Sequence, residues 1–429
     1  MADKQLLIGQ TLQFNSDPFQ TGLDAARHNT RGAVLIDDGK IGAVGNSDDL
    51  IAAHSDAAIT DYGESLILPG FVDAHVHYPQ TAIIASWGKR LIDWLNSYTF
   101  PEEMRFGDPD YAAEAAKLFF DLSLSNGTTT VASFCTIHPE SVDAFFAEAQ
   151  ARNLCTVAGK TCMDRNAPDG LKDTVQSAYD DSKALLNKWH GQDRLTYAIT
   201  PRFSPTSTRD QLSALGALWG EHPDCPMQTH LSEQTDEIAW VLDLFPEARD
   251  YLDTYEATGL LREGGIFGHA IHLTDRERAR LKETGSAVVH CPTSNTFIGS
   301  GLFDMGGLKG EHQTVGLATD TGGGSSFSML RTMAAAYEIG QLKGRPTHPA
   351  ELLWLATTGS AQALGQQNRI GSLQPGFDAD LMVLDLKSTP VIEQRANRAN
   401  DIWEAVFPTI MIGDDRAIQD VRILGKSIH

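Results

Sequence analysis

Residues 70–77 read GFVDAHVH, a short apolar run that ends on two histidines. From this run to about residue 320, apolar runs alternate with polar loops and with segments whose apolar residues recur at helical spacing. The predicted strands are 70–77, 128–134, 156–163, 195–203, 226–233, 265–270, 287–291 and 314–320, and the predicted helices between them include 111–125, 139–152, 172–189 and 208–219. Eight strands alternating with helices predict an α/β fold, a (β/α)8 TIM barrel. A doubly wound open sheet would show the same alternation, but the count of eight and the lack of a GxGxxG motif favour the barrel.

The two ends of the chain follow a different pattern. Short β-like runs are predicted at 6–14, at 33–44 around the turn DDGK, and, after a helical stretch at 349–364, at 379–386, 405–412 and 420–428. Neither end has enough strands to bury a sheet face by itself. We therefore expect residues 1–66 and 372–429 to form one small composite β-sandwich domain beside a barrel of residues 67–371.

Composition narrows the classes of partner. The chain has 429 residues, 41% of them hydrophobic, and a formal net charge of −22. This charge argues against binding to nucleic acid or to an anionic membrane, because both would repel it. Five dispersed cysteines do not suggest a disulfide framework, and neither a signal-like N-terminus nor an apolar run of ~18 residues is evident. We expect a soluble, reduced, cytoplasmic protein.

Histidines and one carboxylate stand where the predicted strands end. Active sites of such barrels gather at the C-terminal ends of the strands. Because side chains alternate along a strand, His75 and His77 point the same way, into the barrel mouth. Alone, this pair fits two half-buried structural histidines equally well. His230 at the end of strand 5 and Asp320 at the end of strand 8 would complete a ligand set suited to Zn²⁺, so a metal site becomes the favoured interpretation.

Two further motifs contain a glutamate. Glu233 follows His230 by three residues, so it would lie beside the metal without being an obvious ligand, a position suited to general acid–base catalysis. Without this context it would be interpreted as an exposed loop residue. His138 and Glu140 match the H-x-E of the cytidine-deaminase class of zinc enzymes, but no P-C-x-x-C follows, and we expect His138 to open the helix after strand 2.

Several stretches resemble a known family. Residues 69–77, PGFVDAHVH, resemble the first-strand motif of the amidohydrolase superfamily, and the tail PGFDADL at 375–381 also fits it. Within that superfamily, five further stretches resemble the guanine deaminases. They are HYPQ at 77–80, KTCMDRN at 160–166, PRF at 201–203, THLSE at 229–233 and TDTGGG at 319–324. The combination of Gln80 with Arg202 and Phe203 is what points to guanine.

The resemblance implies a mononuclear metal site. The expected ligands of one Zn²⁺ per subunit, or of Fe²⁺ in its place, are His75, His77, His230 and Asp320. Superfamily members with two metals have a bridging lysine, usually at the end of strand 4, where this chain reads TPRF at 200–203. Lys160 lies on strand 3, and we expect it to have a structural or loop-orienting role.

The resemblance also implies roles for the remaining site residues. Glu233 and Asp320 would move protons, and His269 would assist the attacking water. Gln80 and Arg202 would hydrogen-bond the polar edge of a purine, and Phe203 would pack on its ring. The predicted substrate-facing set is His77, Gln80, Arg202, Phe203, His230, Glu233 and Asp320, with Trp87 as a candidate lid or wall residue. Ser294 and Asn295 would only shape the loop after strand 7, and His272 is expected not to be a ligand.

The implied activity is hydrolytic deamination of guanine to xanthine and ammonia by a metal-activated water, in purine catabolism, by a homodimer. Glu233 would protonate N3 of the base, and Asp320 would protonate the departing amine. One alternative is another mononuclear deaminase of the superfamily, acting on 8-oxoguanine, a thioether nucleoside, cytosine or a triazine. A more remote alternative is a non-catalytic scaffold relative.

Overall fold

The computed structural model describes residues 4–88 and 90–428. From the sequence we expect no signal segment at the N-terminus. Residues 1–3, where that segment would begin, lie outside the described residues. Two compact units can be distinguished. One comprises Met1–Val72, Leu122–Thr130 and Ser328–His429, and the other comprises Asp73–Asp121 and Val131–Phe327. The domain boundaries drawn from the sequence, at 66/67 and 371/372, stay a prediction.

The strands follow the predicted order along the chain. They are β1 Gln5–Phe14, β2 Ala26–Asp37, β3 Lys40–Asn46, β4 Ala58–Pro69, β5 Phe71–His77, β6 Thr128–Phe134, β7 Cys155–Gly159, β8 Thr161–Cys162, β9 Leu195–Tyr197, β10 Thr200–Pro201, β11 Met227–Leu231, β12 Gly265–His269, β13 Ala287–His290, β14 Thr314–Leu317, β15 Leu381–Leu384, β16 Ile418–Ile423 and β17 Lys426–Ser427. The predicted third and fourth barrel strands are each split into two short pieces, β7 with β8 and β9 with β10.

The α-helices are α1 Pro18–Thr21, α2 Ser47–Ala53, α3 Leu91–Trp94, α4 Phe100–Glu103, α5 Pro109–Ser125, α6 Pro139–Ala151, α7 Val175–Trp189, α8 Arg209–Glu221, α9 Thr235–Leu244, α10 Tyr251–Glu256, α11 Asp275–Glu283, α12 Pro292–Phe297, α13 Met305–Gly310, α14 Met329–Leu342, α15 Pro349–Trp354, α16 Ser360–Ala363, α17 Pro390–Ala396 and α18 Ile402–Ile412. The five predicted helical stretches are helical, as α5, α6, α7, α8 and as α15 with α16. A π-helical turn joins α3 to α4, and a second joins α15 to α16. In residues 4–88 and 90–428 there is no helix with the length and apolar character needed to cross a bilayer.

In the first unit, both chain ends build one sheet. Among the described residues, seven strands pair in the order β17-β16-β15-β4-β1-β2-β3. This confirms that the two chain ends contribute to one sheet, and their arrangement as a sandwich domain stays a prediction. The β2–β3 hairpin turns at the predicted site, where Asp38 and Gly39 have φ of 48° and 74°, as a tight hairpin turn requires. Side chains from β1, β2, β4 and β15 share one buried apolar cluster beneath this sheet.

One predicted strand in this unit is wrong. Residues 405–412 were expected to be β because they are a β-branched, apolar run, but they belong to helix α18. Asp401 caps this helix by accepting a hydrogen bond from the backbone N–H of Glu404. The apolar residues then pack against α14 and α17. An N-cap and tertiary packing therefore override local β-propensity, even with Pro408 inside the helix.

Most barrel strands lie wholly in the second unit, while β5 and β6 begin with residues of the first. The strands β5, β6, β7 and β9 pair in that order, and β11 to β14 form a parallel set. The two sets are joined where the backbone N–H of Gln228 donates to Ile199 O at 2.9 Å. After β14 the backbone N–H of Asp320 donates to His75 O at 3.0 Å, which returns the ladder to β5. The eight predicted strand positions thus follow one another around a ring, in agreement with the predicted barrel.

Candidate active site

Four residues that lie far apart in the sequence meet at the ends of β5, β11 and β14. His75 Nε2 and His77 Nε2 each lie 3.5 Å from Asp320 Oδ1. His77 Nε2 and His230 Nε2 are 3.2 Å apart. The structure therefore brings the four predicted metal ligands into one cluster. His269 also joins His75 and His230 in a second, overlapping group of possible metal donors.

The donor set in this cluster fits a metal ion. His75 Nε2 is buried and has no hydrogen-bond partner among the described residues. Burial, followed by the charges of neighbouring imidazoles, lowers the pKa of His75, His77 and His230 well below its ordinary value. Neutral imidazoles are the form that binds a metal. A cation among these nitrogens would also give the buried His75 Nε2 the partner that it otherwise lacks.

Neighbouring groups hold the cluster in place. His230 Nδ1 is hydrogen-bonded to the backbone carbonyl of Arg202 at 2.7 Å, so Nε2 of the same ring is left for the cluster. Asp73 accepts a hydrogen bond from the backbone N–H of Thr319 at 2.9 Å, which fixes the chain just before Asp320. Asp320 itself has φ of 50°, and His269 has φ of 66°. Such left-handed backbone costs roughly 1–3 kcal/mol per residue and is typical of functional sites.

A second group of side chains could move protons next to this cluster. Ser300 Oγ donates to Glu233 Oε1 at 2.6 Å, while Glu233 Oε2 lies 3.6 Å from His269 Nε2. His269 Nε2 is also 3.7 Å from Asp320 Oδ2, and its Nδ1 contacts Asn295 Oδ1 at 2.9 Å. The imidazole of His269 therefore lies between two carboxylates, and its contact with the side-chain amide of Asn295 fixes its orientation.

The ionisation of these groups follows from burial and charge. Burial raises the pKa of Asp320 to about 6, which leaves a carboxylate able to gain a proton near neutral pH. Burial would lower the pKa of His269, but the negative charges of Glu233 and Asp320 outweigh it, and the pKa of His269 is raised.

A cavity with an empty volume of about 430 Å³, including its solvent-filled mouth, lies over these groups. Its walls include every residue predicted to face the substrate except Trp87, and they also include Leu91, Trp94, Leu95, His269, Ile298 and Gly323. Trp87 is 75% exposed and does not line this cavity. Trp94, three residues after the start of α3, supplies the tryptophan of the wall instead.

The other residues singled out in the sequence occupy structural positions. Lys160 is buried and pairs with both oxygens of Asp173 at 2.7 Å, as expected for a structural lysine. His138 is the N-cap residue of α6. His272 Nε2 is hydrogen-bonded to Ser300 O at 2.8 Å, away from the clustered ligands. Asn295 does more than shape its loop, because it contacts His269 directly.

Sequence patterns did not reveal Glu103. Its carboxylate accepts hydrogen bonds from Gln80 Nε2 at 3.0 Å and from Arg202 Nη1 at 2.7 and 3.0 Å. It thus joins the two residues that were predicted to contact the polar edge of a purine. The only available signal was a pair of glutamates, Glu102 and Glu103, beside the apolar Phe100, and this pattern is common on exposed helix turns.

Comparison with known proteins identifies the family of this chain. The model of the amidohydrolase family matches residues 66–427, and that of an imidazolonepropionase-like composite domain of bacteria matches residues 32–57. A guanine deaminase from Escherichia coli is 43% identical over 371 residues, covering 86% of this chain and 84% of the relative. The chain belongs to the guanine deaminase family of amidohydrolases.

Solved structures of this guanine deaminase family agree with the assignment. The E. coli guanine deaminase structure superimposes with a TM-score of 0.96 at 40% identity, covering 99% of each chain. A guanine deaminase from C. acetobutylicum with bound guanine in its active site gives a TM-score of 0.90 at 28% identity, covering 99% of this chain and 100% of the other. The resemblance drawn from sequence motifs is therefore confirmed along nearly the whole chain.

Proposed function

We propose that this protein catalyses the hydrolytic deamination of guanine to xanthine and ammonia. The observation that carries this function is one cavity whose walls combine possible metal ligands with a carboxylate and two polar groups, namely His77, His230, Asp320, Glu233, Gln80 and Arg202. Membership of the guanine deaminase family supports the same activity, and the C. acetobutylicum relative is named for guanine bound in its active site.

The residues present fit one Zn²⁺ per subunit. His75, His77, His230 and Asp320 would hold the ion, and Fe²⁺ is an alternative because the same nitrogen and oxygen ligands accept both metals. When bound, such an ion lowers the pKa of a water toward ~7 and so supplies hydroxide at neutral pH. The lysine that would bridge a second metal is absent from the end of the fourth strand, which favours a mononuclear site.

The two carboxylates of the site have separate tasks in this proposal. Glu233 takes the first proton of the water and delivers it to N3 as attack on C2 of guanine places negative charge on the ring. Ser300 holds Glu233 Oε1, so the carboxyl group keeps one orientation during the transfer. Asp320 takes the remaining proton of the attacking water and passes it to the amine, which leaves as ammonia when the C2–N bond breaks. His269 Nε2, between the two carboxylates, donates a hydrogen bond that orients the attacking oxygen.

Substrate choice is assigned to the opposite side of the cavity. Arg202 and Gln80 face the edge of the base that carries N1 and O6, and Phe203 packs against the ring. Guanine has a carbonyl at C6, whereas adenine has an amine that cannot accept a hydrogen bond from Arg202. Leaving buried donors without partners can discriminate by ~10⁴ or more. Adenine also lacks the C2 amine that guanine releases, so it is not a useful substrate.

The test measures the activity of zinc-loaded protein on a panel of bases and related compounds. Ammonia and xanthine should be released from guanine, with kcat/KM for guanine at least ~10³ times that for adenine. Cytosine, 8-oxoguanine, a thioether nucleoside and a triazine complete the panel. Higher kcat/KM on any of these than on guanine, or appreciable turnover of adenine, would contradict the proposal.

Three further expectations accompany this function. We propose a homodimer and a place in purine catabolism from the family resemblance, and a cytoplasmic location from the dispersed cysteines and the lack of a signal-like N-terminus. The oligomeric state is measured by light scattering of the purified protein, and a mass of one subunit at micromolar concentration would refute the dimer.

A further inference from the structure

We infer that Glu103 is a positioning residue that determines which atoms of the pocket donate and which accept hydrogen bonds toward the base. The inference rests on the proposed function, because it concerns the edge of guanine that carries N1–H and the C6 carbonyl. Glu103 itself does not line the cavity. It acts through Gln80 and Arg202, which do.

The carboxylate of Glu103 is buried behind the pocket wall. It belongs to α4 and is 1% exposed. Oε1 accepts from both Gln80 Nε2 and Arg202 Nη1 at 3.0 Å, and Oε2 accepts from Arg202 Nη1 at 2.7 Å. The ring of Phe100, also in α4, lies 5.7 Å from the guanidinium carbon of Arg202. One short helix therefore holds Arg202 by a buried ion pair and by an aromatic contact.

The same carboxylate orients the amide of Gln80. An ionised carboxylate only accepts hydrogen bonds, so it must be faced by the amide nitrogen of Gln80 and not by the oxygen. This leaves Gln80 Oε1, an acceptor, for the cavity. Arg202 has donors only. The wall therefore presents an acceptor next to a donor in a fixed order.

This order matches one arrangement of purine atoms. In guanine, N1 carries a hydrogen and the adjacent C6 carries a carbonyl, so N1–H can donate to Gln80 while O6 accepts from Arg202. A purine with an amine at C6 has the reverse pattern, because N1 is then an acceptor and the amine a donor. Glu103 thus selects the lactam edge by preventing the amide of Gln80 from turning over.

The experiment compares Glu103→Gln with Glu102→Gln. Glu102 neighbours Glu103 in α4, but it bonds Arg105 and the hydroxyl of Tyr111 and does not line the cavity. The substrates are guanine and 2,6-diaminopurine, which share the C2 amine and differ at C6 and N1. In E103Q the neutral amide lets Gln80 turn, so we expect kcat/KM for guanine to fall by about 10²-fold and its ratio to that for 2,6-diaminopurine to fall at least tenfold. In E102Q the ratio should stay within about twofold of the wild-type value.

A purely structural role would give a different result. If folded E103Q lost activity on both substrates equally, or kept the wild-type ratio, the inference would be overturned. Because breaking a buried ion pair is destabilising, Glu103→Asp provides a second variant that keeps the charge but withdraws it by one methylene. We expect the ratio to fall at least about threefold in E103D, and an unchanged ratio there would also overturn the inference. Failure of the proposed function is distinguishable, since it would appear as wild-type protein that does not release xanthine from guanine.

Discussion

Glu233 is held at one carboxylate oxygen by Ser300 and faces His269 with the other. Replacing it by glutamine keeps the shape of the side chain but removes the transferable proton. We expect kcat for guanine to fall about 10²–10⁴-fold in E233Q, as is typical when an acid–base group is lost. The measurement is xanthine release at saturating guanine.

A matched control is Glu140→Gln. Glu140 belongs to the H-x-E sequence at residues 138–140, is exposed at the start of α6 and lies outside the cavity wall. E140Q should keep wild-type kcat. Wild-type turnover by E233Q, or a large loss in E140Q, would show that the acid–base group has been assigned to the wrong motif.

His290 supports a prediction about pH and stability. It ends β13, its ring stacks on Phe303 at 4.4 Å, and its Nδ1 has no partner among the described residues. Burial lowers the pKa of His290 to about 3. Below the ordinary pKa of ~6.5, the unfolded chain therefore binds a proton that the folded chain excludes. The contribution of His290 to stability is present above pH ~6.5 and is lost as pH falls toward 3.

The variant His290→Phe removes this titration. At pH 5, protonation of His290 in the unfolded chain lowers the free energy of unfolding of the wild type by about 2 kcal/mol. Between pH 7.5 and pH 5, H290F should therefore lose about 2 kcal/mol less of its free energy of unfolding than the wild type. Urea unfolding followed by circular dichroism at both pH values gives the difference. The control is H312N, which replaces an exposed histidine. Its free energy of unfolding should fall between pH 7.5 and pH 5 by the same amount as that of the wild type. An identical pH dependence of H290F and wild type would be inconsistent with a buried neutral His290.

At the scale of the element, strand β12 lies directly against the ring of His75. A Cβ at Gly268 would lie 2.7 Å from His75 Cε1 and 2.9 Å from Nδ1. Gly268 also pairs in register with His230. We expect Gly268→Ala to displace the His75 ring and to weaken zinc affinity by about 10–100-fold, a loss typical of disturbed ligand orientation. Competition with a chelator, read by metal analysis, measures the affinity.

The control for this substitution is Gly220→Ala in α8. A Cβ there meets nothing within 4 Å, and alanine favours a helix over glycine. G220A should retain zinc affinity and be as stable as wild type or more so. If G268A bound zinc as tightly as G220A, the close approach of β12 to His75 would have no bearing on the metal site.

Strand parity explains why so much of the cluster was predictable. The one-residue spacing of His75 and His77 fixes their side chains on the same face, and the barrel rule places His230 and Asp320 at the same rim. Helix α18 was mistaken for a strand because its eight apolar residues carry no sign of the helices that they pack against. Local patterns predicted the barrel because its strands are short, mostly buried runs, several of them fully buried, that alternate with helical segments.

Glu103 shows where sequence patterns stop being informative. It is 23 residues from Gln80 and 99 from Arg202, on a short helix reached through a π-helical turn. The two-residue period of a strand and the 3.6-residue period of a helix relate only nearby positions, so neither could link Glu103 to Gln80 or Arg202. Trp94 was missed for the same reason, while the nearby Trp87 was chosen from its residue type alone.

For the whole molecule, the ligand cluster links metal content to folding. A metal that binds only the folded state stabilises it by RT ln(1 + [L]/Kd), about 2.7 kcal/mol at one hundred times Kd. We expect chelated protein to have a Tm lower by several degrees than zinc-loaded protein, and zinc to restore it. Differential scanning calorimetry measures both.

Magnesium is the control for this experiment. It prefers oxygen ligands and should not raise Tm at the same concentration, because the cluster offers mainly imidazole nitrogens. Equal Tm values for chelated and zinc-loaded protein would mean that the four residues do not bind the ion. A similar shift with magnesium would indicate a binding site elsewhere.

Arg202 contributes to the site with its main chain and its side chain separately. Its carbonyl holds the ring of His230, and its guanidinium pairs with Glu103 at the other side of the cavity. Every amino acid carries the same carbonyl, so a replacement at position 202 exchanges the group that reads the base and leaves the support of His230 in place. Substrate preference can therefore diverge at this position during evolution without a simultaneous repair of metal retention, and the same position is the natural first choice for redesigning the enzyme toward other bases.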